Sequence, residues 1–330
     1  GKKMKKFVCF LLAVCMLLCV VAGCTADEPQ PTEEVTTIKV GALTGPTAMG
    51  MVKLMDDSDK GTSANKYEFE LKSEASAFVA ALAKGEIDIA AVPANLASVI
   101  YNNTDGGVKL LAINTLGVLY IVERGDSVNS LADLTGKTLY ATGEGAAPEY
   151  ALRYLLKENG LDGENAPNIQ WCADTTEALS YISSDENAIA MLPQPFVTAA
   201  QAKVNGLRVA LSLNDEWAKL DNGSAMVTGV VVCRSEFAEK YPQQLEKFMQ
   251  EYEASVKYVQ ENTEDAAALI GNYEIVKAPI AQKALPYCNI TFITGAEMKT
   301  DMESYLSVLN DMNPKAIGGK LPGADFYYGA

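Results

Sequence analysis

The sequence contains no histidine. That absence removes every Ser–His and Cys–His nucleophile pair and every imidazole-ligated metal. Arginine is nearly as scarce: Arg124, Arg153, Arg208 and Arg234 are the four in 330 residues. None of them falls in the strand-end loops described below, so a guanidinium clamp on an oxyanion finds no support. There are seven cysteines but no CxxC and no Cys/His spacing, which leaves no metal site and no redox site to argue for. Basic clusters are missing too, and the net charge of −15 repels phosphate backbones, so nucleic acid is not an expected partner. Carboxylates are plentiful, yet no pair stands out as general acid and base, and no catalytic residue is assigned.

What is present begins at the N-terminus. Lys2, Lys3, Lys5 and Lys6 precede an uncharged run from Phe7 to Gly23, which ends in Val21-Ala22-Gly23-Cys24. This pattern predicts a secretion signal over 1–23. The apolar run falls short of the roughly 20 residues a spanning helix needs, and Thr25-Ala26-Asp27-Glu28 follows in place of a positive stop-transfer flank. Small residues just before a cysteine resemble the lipobox of bacterial lipoproteins, which implies lipidation of Cys24 and attachment to the outer side of a membrane. Four lysines and no acid leave with the signal, so the charge of the remainder becomes −19. Residues 24–37 are polar, acidic and proline-bearing, and are expected to form a disordered tether. Cys9, Cys15 and Cys19 leave with the signal. Cys172, Cys233 and Cys288 stay, odd in number and far apart; one pair could bridge, or each serves as a small buried hydrophobe.

The remaining roughly 290 residues exceed one ordinary core, so two lobes are expected. Ile38, Val40 and Ala42 alternate as a strand, broken by Gly45-Pro46, after which Met49, Val52, Leu54 and Met55 take up helical spacing. Strands then alternate with helices: Tyr67 to Leu71, Ser76 to Lys84, Ile87 to Val92, Lys109 to Asn114, Leu119 to Glu123, Thr138 to Ala141. A second block repeats the alternation with helix Pro148 to Asn159, strand Ile169 to Cys172, helix Thr175 to Ser184, strand Ala188 to Leu192, helix Pro195 to Val204 and strand Leu207 to Leu211. The fold class is α/β, and the alternation predicts parallel sheets covered on both faces. Met226 to Cys233 leads away as a β-branched strand, and the rest reads as mostly helical. Ser235 and Thr263 are expected N-caps, and Pro242 suits a first helical turn. Crossings near Leu116–Glu123 and Met226–Cys233 would return the C-terminal part to the first lobe. The resulting organisation is 38–118 and 226–330 in lobe I, 119–225 in lobe II, with a central cleft. No internal sequence repeat is evident.

Four loops at strand ends combine small residues with neutral hydrogen-bonders: Leu43-Thr44-Gly45-Pro46-Thr47, Pro93-Ala94-Asn95, Thr142 to Ala147, and Pro193-Gln194-Pro195. Small residues let a ligand approach the backbone, and free N–H groups at a helix start favour an anionic edge. Gly143 and Gly145 lack both the third glycine of a dinucleotide loop and the lysine of a P-loop, so no nucleotide cofactor is implied. Each loop also fits a plain turn.

Together IKVGALTGPTAMGMVKLM, KGEIDIAAVPANLA, LADLTGKTLYATGEGAAPEYALRYLLKENGL and AMLPQPFVTAA resemble the solute-binding lipoproteins of ABC importers, in the nitrate/sulfonate/taurine-type group of the type II periplasmic-binding fold. The resemblance spans essentially the whole mature chain. It implies a monomeric two-lobe trap without cofactor, binding a small sulfonate-like or heterocyclic molecule and docking on a membrane permease driven by a cytoplasmic ATPase. By position Thr44, Gly45, Thr47 and Asn95 would line the first lobe, and Gly145, Ala146 and Gln194 the second. Leu43, Met49 and Leu116 would supply apolar contacts. Glu144 would favour an amine-bearing ligand if it faced the cleft, and means nothing if it faces water. Two other readings share the fold: a ligand-sensing lipoprotein, and an enzyme similar to the pyrimidine-precursor synthases, which rely on histidines that this chain lacks.

Overall fold

The structure is a computed structural model and describes residues 37–330. The expected signal over 1–23, the lipidated Cys24 and all of the tether but Thr37 lie outside the described residues. No helix among those described is long and apolar enough to cross a membrane.

The first stretch of chain forms β1 (Ile38–Leu43), α1 (Pro46–Met49), α2 (Val52–Asp59), β2 (Tyr67–Lys72), α3 (Ser76–Ala83), β3 (Ile89–Pro93), α4 (Ala94–Asn103) and β4 (Val108–Leu116). After Gly117 and Val118 come β5 (Leu119–Glu123), β6 (Thr138–Thr142), α5 (Ala147–Glu158), β7 (Asn168–Cys172), α6 (Thr175–Ser184), β8 (Ile189–Pro193), α7 (Phe196–Gln201), β9 (Arg208–Ser212) and α8 (Leu213–Ala218). The chain ends with β10 (Val227–Arg234), α9 (Ser235–Lys240), α10 (Pro242–Glu261), α11 (Thr263–Asn272), α12 (Ala278–Ala284), β11 (Ile290–Ile293) and α13 (Gly295–Met312).

These strands sort into two sheets, ordered β11-β4-β10-β3-β1-β2 and β7-β6-β8-β5-β9. The expectation of parallel sheets needs correction, because both are mixed. β1, β2 and β3 are mutually parallel, as are β6, β7 and β8. β10, however, runs antiparallel to β3 and β4, β11 antiparallel to β4, and β5 antiparallel to β8 and β9. β5 and β10 are the strands on which the chain passes from one sheet to the other. Each enters its new sheet from the end where the parallel strands finish, so it must run against them.

Helix faces follow the apolar stripes. On α10, Leu245, Phe248, Tyr252, Val256 and Val259 are all buried, and Pro242 occupies the first turn as expected. On α13, Met298, Met302, Tyr305, Leu306 and Leu309 are buried, while Met312 of the same stripe reaches the surface where the helix ends. Two expected caps are different: Ser235 lies within α9 and donates its hydroxyl to the Gly106 carbonyl (2.7 Å), and Thr263 follows Asn262, which holds the cap position without a side-chain bond. Helix α8 and strand β11 are additions to the expected list; both are too short for their periodicity to register in the sequence.

Cys172, Cys233 and Cys288 are free and buried, so no pair bridges. Burial pushes the thiols of Cys233 and Cys288 up to about 12, which keeps them neutral and unreactive near pH 8. Both should resist a thiol-labelling reagent in the folded protein and react in urea, with peptide mass mapping as the readout. Rapid labelling of either in the native state would contradict their placement.

Candidate functional site

Strands β3 and β8 hold equivalent places in the two sheets and share a local pattern, Ile89-Ala90-Ala91-Val92-Pro93 against Ile189-Ala190-Met191-Leu192-Pro193. This local correspondence is one that a search for repeats along the chain overlooks. Each strand is apolar because both its faces are covered, and each ends in a proline that stops the ladder where a helix must begin. Each also lies beside a crossing strand, with Gly229 of β10 opposite Pro93 and Leu119 of β5 opposite Pro193. The register therefore brings both proline turns and both crossings to one place.

A cavity of 340 Å³ opens there. Pro93, Ala94 and Asn95 contribute from the first sheet's side, and Ala146, Ala147, Pro148 and Pro193 from the second. Val118 and Leu119 come from one crossing, Met226, Val227 and Thr228 from the other, and Tyr305 from α13. A groove of 440 Å³ along α10 is larger, but it is built from the first sheet's side alone, and one of 720 Å³ between α7 and the α11–α12 turn takes in no residue of either sheet. Only a cavity that both sheets line can couple a ligand to their relative position.

The lining is mainly apolar and carries no charged side chain. Its polar groups are few. The starts of α4 and α5 both reach it, and first-turn N–H groups have no acceptor within their own helix. On α5 the supply of donors is small: Pro148 has no N–H, and the N–H of Gly145 is taken by the Glu149 carboxylate (2.7 Å). Burial alone would raise Glu149, but that N–H and Arg153 (2.6 Å) hold its carboxyl below the usual range, so it stays ionised and keeps the donor occupied. Ala147 is left to offer its N–H. Two hydroxyls complete the set, those of Thr228 and Tyr305, and neither side chain has a hydrogen-bond partner among the described residues. Tyr305 is 3% exposed, and burial pushes its phenol far above the ordinary value, so it remains a neutral donor.

Of the residues expected to bind, the structure brings Asn95 and Ala146 to this cavity. Asn95 also donates its amide to the Ala316 carbonyl (3.1 Å). The remaining ones sit nearby or elsewhere. Thr47 is buried, its hydroxyl donating to the Leu43 carbonyl (2.7 Å) and its own carbonyl accepting from Asn114 (2.9 Å). Thr44 is exposed and Gly45 half-buried. Leu43 and Leu116 pack as half-buried edges of the core, and Met49 is wholly inside it. Gly145 and Glu144 are exposed. Gln194 is buried, with its side-chain oxygen accepting from the Thr198 N–H and hydroxyl (2.9 Å for the latter). Thr228 and Tyr305 went unnoticed in the sequence, since one lies in a β-branched run and the other in a helical stripe that reads as core.

Two α/β lobes joined by two crossings, with a cavity at the carboxyl ends of their central strands, define the type II periplasmic-binding fold. Solved structures agree. An ABC transporter from Parabacteroides distasonis superposes with a TM-score of 0.73 at 25% identity, covering 89% of this chain and 99% of that one. The periplasmic aliphatic sulphonate binding protein SsuA from Escherichia coli gives 0.67 at 17%, covering 88% and 93%. The alkanesulfonate-binding protein SsuA from Xanthomonas axonopodis pv. citri, bound to MOPS, gives 0.61 at 11%, covering 88% and 96%. No curated protein matches the sequence. A family model described as "ABC transporter, phosphonate, periplasmic substrate-binding protein" matches residues 60–278, and the chain belongs to that family. It is the substrate-binding component of an ABC importer, within the group the sequence resembles, and acts outside the cytoplasm.

Proposed function

We propose that this chain captures a small organic molecule bearing a sulfonate-like edge or a neutral heterocycle, between lobe I (38–118 and 226–330) and lobe II (119–225), and delivers it to its permease without chemical change. Lipid on Cys24 would hold the monomer at the outer side of the cell membrane. The observation that carries the reading is the cavity's chemistry: an apolar lining, two helix starts and two unengaged hydroxyls. A singly charged or neutral edge can be satisfied by N–H and O–H donors alone, whereas a dianion desolvated here would find no countercharge. The apolar walls suit the body of the same molecule.

Calorimetric titration with benzenesulfonate as probe tests this reading. Tyr305→Phe and Thr228→Val should each weaken binding by about 10-fold, the worth of one hydrogen bond to a charged group. Neither should lower the unfolding midpoint, because neither hydroxyl has an internal partner to lose. Unchanged affinity in both variants would place the ligand elsewhere.

A further inference from the structure

Residues 313–320 form a strap outside the cavity, bonded on one side to α4 and on the other to α5. From α4, Asn95 donates to the Ala316 carbonyl (3.1 Å), Ser98 to Ile317 (2.8 Å), and Asn102 to Ile317 (2.9 Å) and Lys320 (2.8 Å). These bonds make the strap part of the first lobe. At its start, Asn313 accepts the Lys315 N–H with one side-chain atom (3.2 Å) and donates with the other to the Tyr150 hydroxyl of α5 (2.7 Å). Tyr150 in turn donates its hydroxyl to the Gly145 carbonyl (3.1 Å), one residue before the cavity-lining Ala146. A connected path thus runs from Asn95 on one wall, around the outside, to the loop before α5 on the other.

In a two-lobe trap the apparent affinity is the intrinsic affinity reduced by the fraction of free protein already closed. A bond that joins the lobes and does not touch the ligand acts on that fraction. We propose that Asn313 is a positioning residue for ligand capture, whose hydrogen bond to Tyr150 holds the lobes together and sets how much of the free protein is closed. This rests on the binding reading above for its effect on affinity, but its effect on shape does not. Asn95 gives the path a sensor, since the same side chain lines the cavity and holds the strap.

The test uses Asn313→Ala, Tyr150→Phe and the double variant of the full chain, with X-ray scattering of the ligand-free protein and benzenesulfonate titration. Each single variant should show a larger radius of gyration than the wild type and bind the probe about 3- to 10-fold more weakly, mainly through faster dissociation. The losses in the double variant should fall well short of the sum of the single ones, because both single variants remove the Asn313–Tyr150 bond. A radius and affinity unchanged in both single variants would overturn the proposal, as would fully additive losses. If even the wild type binds no benzenesulfonate while Asn313→Ala still expands, the latch stands and the ligand reading fails.

Discussion

Ala146→Trp is expected to abolish ligand binding, with at least a 100-fold loss of affinity, while the protein unfolds within a degree or two of the wild type. Ala146 lies at the cavity mouth, where it is exposed and immediately precedes α5. Its backbone is extended (φ −130°, ψ 176°), a conformation open to any residue. An indole can therefore be accommodated in the backbone and still fill space that the ligand needs. The neighbouring Gly145 is a poorer place for the same experiment. An added Cβ there meets no atom within 4 Å, but its φ of +73° strains any L side chain and its N–H already serves Glu149. In the wild type a saturating ligand at 100 times its Kd adds about 2.7 kcal/mol of stability. The variant should show none of it in a thermal melt. A melt that still rises with ligand would remove the cavity from the account.

Glu123→Ala should cost about 3 kcal/mol, the largest loss expected from any surface-adjacent charge in the second lobe. Glu123 ends β5 and is 2% exposed, yet every part of its carboxylate is engaged. It accepts from the N–H groups of Ser127 (2.9 Å) and Val128 (3.0 Å), from the Ser127 hydroxyl (2.7 Å), and from the Arg208 guanidinium. Arg208 in turn donates to the carbonyls of Gly125 and Val128, both at 2.8 Å. Removing the carboxylate leaves buried donors without acceptors and loosens the loop that turns the chain away from β5. Burial by itself would raise the carboxyl's pKa, but Ser127, Val128 and Arg208 outweigh it and hold it below the usual range. A depressed pKa contributes stability above the unfolded value and loses it as pH falls through the folded one. The wild-type urea midpoint should thus drop more steeply below about pH 4 than that of Glu123→Gln. Parallel profiles would show that the carboxylate contributes nothing through its charge.

Much of the architecture was legible because strand and helix periods were strong. The runs around Ile89 and Ile189, the stripe on α10 and the turn residue Pro93 all announced their elements. Strand direction was not legible, since apolar content marks a covered strand without saying which way it runs; β5 and β10 show this most clearly. In the candidate site, small residues and prolines marked junctions that reach the cavity, Pro93–Asn95 and Ala146 among them. What it could not separate was a polar residue serving the backbone from one left open. Thr47 and Gln194 turned inward because unsatisfied groups were within reach. Thr228 and Tyr305 stayed open because nothing near them was a partner, a property of three-dimensional neighbourhoods that no local pattern records.

Hydrogen–deuterium exchange of the protein with and without saturating benzenesulfonate tests most directly whether one molecule is held by both lobes at once. Protection should fall together on residues 94–96 and 226–228 of one lobe and 119–120 and 144–149 of the other, and should vanish in Ala146→Trp. Protection confined to the segments of a single lobe, or lying along α10 instead, would contradict the account.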